Sequence, residues 1–134
     1  MRDVVAVSAI GRDGVKAGYS SYGLGVVDLA APGGATGDCM LSTVPDGYAR
    51  MCGTSMAAPH VAGVAAAVAA EHPGPGPSGL RAALDEGARP VPCPSDDDLT
   101  AHGQQDGFCA GYTGYNGFYG HGVVDLPGAL AAAG

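Results

Sequence analysis

Residues 53–63 read Gly-Thr-Ser-Met-Ala-Ala-Pro-His-Val-Ala-Gly, and this stretch decides the fold of the chain. It places Ser55 between small residues, directly before a run of small apolar residues that extends to Ala70. The run predicts a helix from Ser55 to about residue 71, which the Pro-Gly alternation at 73–77 would end. Because unpaired N–H groups give the beginning of a helix a partial positive charge, a serine hydroxyl held there is suited to be a nucleophile.

The predicted helix has no polar face, because its residues are apolar on every side. A helix of this kind is expected to be enclosed by its own domain. Its alanines and Gly63 would allow neighbouring elements to approach closely. We therefore expect a buried central helix after Ser55.

Strand and helix patterns mix along the rest of the chain. The predicted strands are residues 3–10, 26–31, 40–44, 48–52 and 123–125, and residues 45–47 form a hairpin turn between the third and fourth. A shorter helix is predicted with Ser78 as its N-cap and Gly87 as its stop, and a last helix begins at Pro127. Residues 89–112 look like a polar surface insertion. This order indicates one α/β unit over residues 1–134 with a largely parallel sheet.

Composition excludes several function classes. The 134 residues carry a net charge of −7, and Lys16 is the one lysine. A nucleic-acid-binding protein would show a basic face, and an anionic membrane surface would repel this chain. The longest apolar run, residues 61–70, is too short to span a bilayer. Nothing in the sequence indicates an oligomeric state.

The four cysteines, Cys39, Cys52, Cys93 and Cys109, contain no C-x-x-C pair, which argues against a zinc site. Their order suits two local disulfides, Cys39 with Cys52 and Cys93 with Cys109, each worth about 3 kcal/mol. Disulfides indicate an extracellular protein. The alternative is four free thiols in a cytosolic one. No signal peptide is evident, so export would depend on something outside this chain or on a longer N-terminus.

The motif at 53–63 resembles the nucleophile motif of the subtilisin-like serine peptidases. Four further segments resemble family segments and occur in the family's order. They are residues 4–10 (VVAVSAI), 19–23 (YSSYG), 28–33 (DLAAPG) and 119–125 (YGHGVVD). The resemblance therefore covers nearly the whole chain, and it implies part of a three-layer fold of subtilisin type.

This resemblance implies hydrolysis of peptide bonds in proteins or peptides by a Ser–His–Asp triad. Ser55 would attack the scissile carbonyl and form an acyl-enzyme, and its own N–H would donate to the oxyanion. Thr54 and Gly53 match the residues beside this oxyanion and substrate site. The alternative for Ser55 is an ordinary helix N-cap.

The chain also departs from the family. In subtilisin-like peptidases the triad runs Asp, His, Ser along the chain, but no histidine and no Asp or His motif precedes Ser55 here. The family's oxyanion asparagine also lies upstream, whereas Asn116 is the only asparagine of this chain. We therefore interpret residues 1–134 as the C-terminal portion of a catalytic domain. We expect this portion to be inactive alone, and we expect the helix after Ser55 to be left partly exposed.

The histidines are not expected to supply the base. His60 follows Ser55 on the same helix, five residues later, so the two side chains diverge. We expect His60 to point into the core and to hydrogen-bond to backbone. Surface positions are expected for His72, His102 and His121.

The acidic residues are expected to be structural. Asp28 and Asp125 are interpreted as structural rather than as members of the triad. The acidic run at 96–98 lacks the spacing of a calcium-binding loop, so we interpret it as a solvent-exposed face. No motif supports a cofactor or metal. Some family members hold a weak cation in the region that matches Val4 and Asp28, so a structural calcium ion stays an open alternative.

Two hypotheses compete with a serine endopeptidase that carries its nucleophile here. The first is a non-catalytic remnant with at most a binding or structural role. The second is an α/β-hydrolase, but that fold needs Gly-x-Ser-x-Gly around the nucleophile and residues 53–57 read Gly-Thr-Ser-Met-Ala.

Overall fold

The computed structural model describes residues 4–95 and 107–134. The strands in these residues are β1 (Val7–Ile10), β2 (Leu29–Pro32), β3 (Met40–Val44), β4 (Gly47–Met51), β5 (Gly111–Tyr112) and β6 (Tyr115–Asn116). The helices are α1 (Thr54–Glu71), α2 (Pro77–Glu86) and α3 (Leu126–Ala133). Strands and helices mix along the chain, as expected for the α/β class.

The parallel part of the structure is the pair β1 and β2, with Val7 opposite Leu29 and Ile10 opposite Pro32. Both strands are shorter than predicted, because the chain before each of them is not in regular pairing. Val123 adds one isolated parallel bridge to Ala30 in place of the strand predicted at residues 123–125. Within the described residues the other strand pairs are antiparallel hairpins, so a larger parallel sheet stays a prediction.

The predicted hairpin is confirmed. β3 and β4 pair antiparallel, with Val44 opposite Gly47, so Pro45 and Asp46 form a two-residue turn. Asp46 has φ 64°, a conformation that aspartate tolerates better than most residues. The predicted Cys39–Cys52 disulfide closes the open end of this hairpin, with Cα atoms 4.7 Å apart.

Helix α1 has 18 residues and packs against β1, β2, α2 and α3. Its buried residues Ala57, Val61 and Val68 lie on one stripe. The opposite side is exposed and carries small residues, namely Ala58, Ala62, Gly63, Ala66, Ala69 and Ala70. Helix α1 is therefore covered on one face only, which agrees with the poor coverage expected of the helix in a C-terminal portion. The enclosure on all sides that is expected in a whole domain is not provided by the described elements of this chain. None of the described helices is long and apolar enough to cross a membrane.

The predicted position of His60 in the core is wrong. His60 lies outside the buried stripe of α1 and is exposed. Its predicted hydrogen bond to backbone is present, because Nδ1 lies 2.8 Å from the Met56 carbonyl one turn earlier.

Helices α2 and α3 begin in different ways. Helix α2 begins at Pro77, and its N-cap residue Gly76 makes no side-chain capping bond. The prediction of Ser78 as N-cap is thus wrong, because proline is favoured at the first helical position. Helix α3 begins one residue earlier than predicted, and the Asp125 carboxylate caps it by accepting the Gly128 N–H at 2.9 Å.

A second cluster of buried residues lies beside β1 and β2. It contains Ile10, Ala30, Cys109, Phe118, Tyr119 and Val123. The second predicted disulfide joins Cys109 of this cluster to Cys93, which packs against the cluster, with Cα atoms 5.6 Å apart. Lys16 is fully buried, and its ammonium donates to the Ala17 carbonyl and faces the rings of Tyr22 and Phe118. Burial lowers the pKa of Lys16.

The Arg81 cluster joins α2 to β2 and consists of Asp28, Arg81, Asp85 and His121. Arg81 pairs with Asp28 and lies 3.5 Å from the Asp85 carboxylate, and His121 Nε2 lies 3.8 Å from the same carboxylate. Asp85 Oδ1 is buried without a hydrogen-bond partner among the described residues. Burial raises the pKa of Asp85, although the charges of His121 and Arg81 oppose the shift and that of Asp28 adds to it.

We predict that the free energy of unfolding of Asp85→Asn, relative to that of the wild type, is higher at neutral pH than at acid pH. Because the folded state holds the Asp85 proton more tightly than the unfolded chain, wild-type stability falls as pH rises through the raised pKa. Asparagine has no carboxyl proton to lose, so the variant should not show this fall in stability. Urea unfolding at pH about 3 and about 7 measures the difference, since an ordinary aspartate titrates near 3.9.

Asp46→Asn, in the exposed turn between β3 and β4, is the matched control for the change in net charge. It should not reproduce the effect of Asp85→Asn, because it leaves the Arg81 cluster intact. The prediction would be contradicted if the free energy of unfolding of Asp85→Asn, relative to the wild type, were lower at pH 7 than at pH 3.

Candidate active site

Ser55 is exposed and is the second residue of α1. The residue before it, Thr54, is half-buried and begins the helix. The structure therefore presents the Ser55 hydroxyl to solvent at the N-terminal end of α1, as the sequence predicts.

Gly53 sets the direction in which the chain enters α1. Its φ of 157° with ψ of 162° belongs to a region that is populated essentially by glycine alone. The Gly53 carbonyl accepts the N–H of Met56 at 3.0 Å and that of Ala57 at 3.3 Å. The N–H groups of Thr54 and Ser55 have no hydrogen-bond partner among the described residues. They are therefore free to donate to a ligand.

The end of β2 holds Gly53 in place. The Gly53 N–H donates to the Gly33 carbonyl at 3.0 Å, and the Gly33 N–H donates to the Ile10 carbonyl of β1 at 3.0 Å. A Cβ atom on Gly33 would lie 2.6 Å from the Ala9 Cβ and 2.7 Å from the Gly53 carbonyl oxygen. Glycine is required there because the two backbones approach too closely for a side chain.

Tyr19 supports the same contact from the other side. Its hydroxyl lies 2.6 Å from the Gly34 carbonyl and 2.9 Å from the Gly33 carbonyl. Burial of the hydroxyl raises the pKa of Tyr19. The neighbouring Ser20 hydroxyl accepts the Ala9 N–H of β1 at 2.9 Å. The segment at 19–20 thus fastens the β1 and β2 ends on which Gly53 rests.

The local electrostatics favour an anion at this point. Unpaired N–H groups carry the positive end of the helix dipole, and the first turn of α1 holds no acidic side chain. Such a helix beginning can stabilise negative charge that develops on an oxygen atom.

No histidine hydrogen-bonds to Ser55 in the part of the chain that the structure describes. His60 is bonded to its own helix, and His72 caps the far end of α1, about 25 Å away at 1.5 Å per residue. His121 lies beside Asp85. His102 lies outside the described residues.

The two aspartates named from the sequence have structural contacts. The Asp28 carboxylate accepts the Ala6 N–H at 2.7 Å and pairs with Arg81, and Asp125 caps α3. Within residues 4–95 and 107–134, no three His, Cys, Asp or Glu side chains are grouped so that they could hold a metal ion. The acidic run at 96–98 lies outside the described residues.

Sequence reasoning missed the supporting role of Gly33 and Tyr19. Pro32-Gly33-Gly34 indicates the end of a strand but does not show which backbone passes close to it. The segment at 19–23 resembles a family segment, yet its pattern does not reveal that the Tyr19 hydroxyl contacts the β2 end.

Sequence comparison finds related proteins across the chain. Residues 1–122 match the sequence model of the Subtilase family. Thermitase of Thermoactinomyces vulgaris is 42% identical over 87 residues, which are 64% of this chain and 29% of that protein. An extracellular protease of Xanthomonas campestris pv. campestris is 35% identical over 140 aligned positions, covering 98% of this chain and 20% of the relative.

Comparison with solved structures also finds a similar protease. A protease from Pseudoalteromonas arctica superposes with a TM-score of 0.72 at 34% identity, covering 98% of this chain and 36% of that one. The chain therefore spans at most about a third of these relatives. The family match over residues 1–122 and the similarity along almost the whole chain show that it belongs to the subtilase family of serine peptidases.

Proposed function

We propose that Ser55 is the nucleophile of a serine endopeptidase, and that this chain is the C-terminal portion of its catalytic domain. One observation carries the proposal. The exposed Ser55 begins α1 beside N–H groups that the described residues leave unpaired. Ser55 Oγ attacks the scissile carbonyl while its proton passes to a base, and an acyl-enzyme forms as the amine leaves.

The Ser55 N–H serves as one donor to the oxyanion of the tetrahedral intermediate. A donor of this kind contributes a few kcal/mol to transition-state stabilisation, by analogy with measured cases of about 3 kcal/mol. Thr54 and Gly53 form the neighbouring wall of the site. The conformation of Gly53 supports this role, because the chain enters α1 there with the N–H groups of Thr54 and Ser55 unpaired among the described residues.

The base and the second oxyanion donor come from polypeptide outside this chain. The three relatives above are about three to five times as long as their matched part, which leaves room for an Asp- and His-bearing portion. A positioned base typically contributes about 10²- to 10⁴-fold in rate. We therefore propose that the isolated chain has no useful peptidase activity.

The substrates are proteins or peptides, and acyl transfer to a serine hydroxyl uses protein groups rather than a cofactor. We further propose that the protein is exported. Both disulfides support export, as does the similarity to a relative that is named an extracellular protease.

A second candidate is a non-catalytic remnant of the family. It is favoured by one observation, that no described histidine contacts Ser55. In that case Ser55 would act only as part of the first turn of α1.

A chimaera tests the proposed nucleophile. We expect turnover of a peptide substrate when the portion of the Xanthomonas protease that precedes the match is joined to residues 1–134. Ser55→Ala should lower kcat by about 10³-fold or more, because loss of the nucleophile removes acyl transfer. The isolated chain should show no Ser55-dependent turnover.

Ser78→Ala is the matched control, because Ser78 is another exposed serine in the first turn of a helix. It should leave kcat unchanged. Turnover that survives Ser55→Ala would exclude Ser55 as the nucleophile, and a well-folded chimaera without any turnover would favour the remnant.

We also predict that Gly33→Ala damages the site through the backbone. The added Cβ would push Gly53 away from β2, because the Gly53 carbonyl is only 2.7 Å from its position. The chain should lose about 1–3 kcal/mol in urea unfolding. In the chimaera kcat/KM should fall by about tenfold or more, since displacement of a reacting group by about 1 Å can lower the rate by about 10²-fold.

Gly47→Ala is the control, because a Cβ at Gly47 would meet nothing within 4 Å. It should change stability by less than about 0.5 kcal/mol. Equal effects of the two substitutions would show that the contact between Gly33 and Gly53 has no special role.

A further inference from the structure

A cavity of about 570 Å³ opens between the β3–β4 hairpin and the ends of β1 and β2. We call it the arginine pocket. Its lining includes Arg12, Arg50, Arg89, Asp38, Gly34 and Cys39. It also includes Ile10 and Pro32, the last residues of the parallel strands β1 and β2. Ligands of open parallel sheets generally bind outside the carboxyl ends of the strands.

The charge of this lining is opposite to that of the whole chain. The sequence carries 13 acidic side chains against 6 lysines and arginines, yet three arginines and one aspartate line the arginine pocket. A concave surface with an excess of one sign of charge concentrates ligands of the other sign. The pocket is therefore suited to an anion.

The three guanidinium groups keep N–H groups available. Arg12 uses Nε and one Nη on Asp38, at 2.7 and 3.2 Å, and this pair is exposed to solvent. Arg50 donates one Nη to the Cys39 carbonyl at 2.9 Å. Arg89 is exposed, and its backbone is bonded to Val123 on both sides, which fixes its position at the rim. Since a guanidinium has five N–H donors in a planar fork, each arginine can still bind a carboxylate.

The arginine pocket shares a wall with the segment that carries Ser55. Cys39 is joined by its disulfide to Cys52, three residues before Ser55. Gly34 follows Gly33, whose carbonyl holds the Gly53 N–H. Gly34 in the pocket lining therefore connects the pocket to the backbone that holds the beginning of α1.

We propose that the arginine pocket binds the carboxylate of an Asp or Glu side chain that flanks the scissile bond of the substrate. This proposal rests on the proposed function of Ser55. Arg50 and Arg89 supply the charge-assisted hydrogen bonds, and Asp38 competes with the substrate carboxylate for Arg12. The pocket thereby gives an acidic enzyme a preference for acidic peptides, which its net charge alone would disfavour.

The test is a binding measurement on the 134-residue chain, which needs no turnover. Two rhodamine-labelled peptides that differ only in Glu or Gln at two positions are titrated with the chain, and fluorescence anisotropy gives the affinities. We expect the Glu peptide to bind more tightly by about twofold to fivefold per arginine contact at low salt. The preference should shrink at about 0.5 M salt, because the contacts are exposed.

The variants should move this preference in both directions. Arg50→Gln and Arg89→Gln should each weaken binding of the Glu peptide and leave the Gln peptide unchanged. Asp38→Asn should strengthen binding of the Glu peptide, because it frees Arg12. Ser78→Asp, on α2 outside the pocket, changes the net charge as an Arg→Gln substitution does and should leave the preference intact.

Equal affinity for the two peptides would overturn the proposal, and so would a Ser78→Asp effect as large as that of Arg50→Gln. The result of this binding measurement does not depend on whether the chimaera turns over a peptide. A preference without turnover in the chimaera would contradict the role of Ser55 alone. Ser55-dependent turnover without any preference would contradict the arginine pocket alone.

Discussion

The hydrogen bond from the Gly53 N–H to the Gly33 carbonyl is the contact on which the rest of the structure depends. It joins the end of the parallel pair β1 and β2 to the beginning of α1. The contact exists because Gly33 has no Cβ to collide with the Gly53 carbonyl and because Gly53 adopts a φ of 157°, and the Tyr19 hydroxyl binds the Gly33 carbonyl as well. It fixes where α1 begins, and so it fixes where Ser55 and the first unpaired N–H groups lie.

Helix α1 is covered on one face only by the described part of the chain. One face of α1 packs on β1, β2, α2 and α3, and the other face exposes small residues. Small side chains on that face would let another element pack at short distance. This agrees with our proposal that residues 1–134 are one portion of a larger catalytic domain, because an isolated domain gains nothing from such a surface.

Local patterns predicted the elements that depend on local chemistry. The Pro45-Asp46-Gly47 hairpin, the helix after Gly53 and both disulfides follow from turn residues, small apolar runs and cysteine spacing, and the structure contains all of them. The motif at 53–63 also predicted that Ser55 would be presented at a helix beginning.

Features that depend on distant parts of the chain were not predictable. His60 was placed in the core because α1 has no polar face, but whether a face is covered depends on what packs there. Ser78 is a good capping residue, yet α2 begins at Pro77 with Gly76 as its N-cap, two residues earlier than an N-cap at Ser78 implies. The arginine pocket brings together side chains that are far apart in the sequence, and a net charge of −7 gives no sign of it.

The most direct test of the account is amide hydrogen exchange of residues 53–57 in the folded chain, read residue by residue by NMR. The N–H groups of Gly53, Met56 and Ala57 should exchange slowly because they are hydrogen-bonded, and those of Thr54 and Ser55 should exchange fast. Exchange at Ser55 as slow as at Met56 would contradict it, because the N–H group proposed for the oxyanion would then already have a partner.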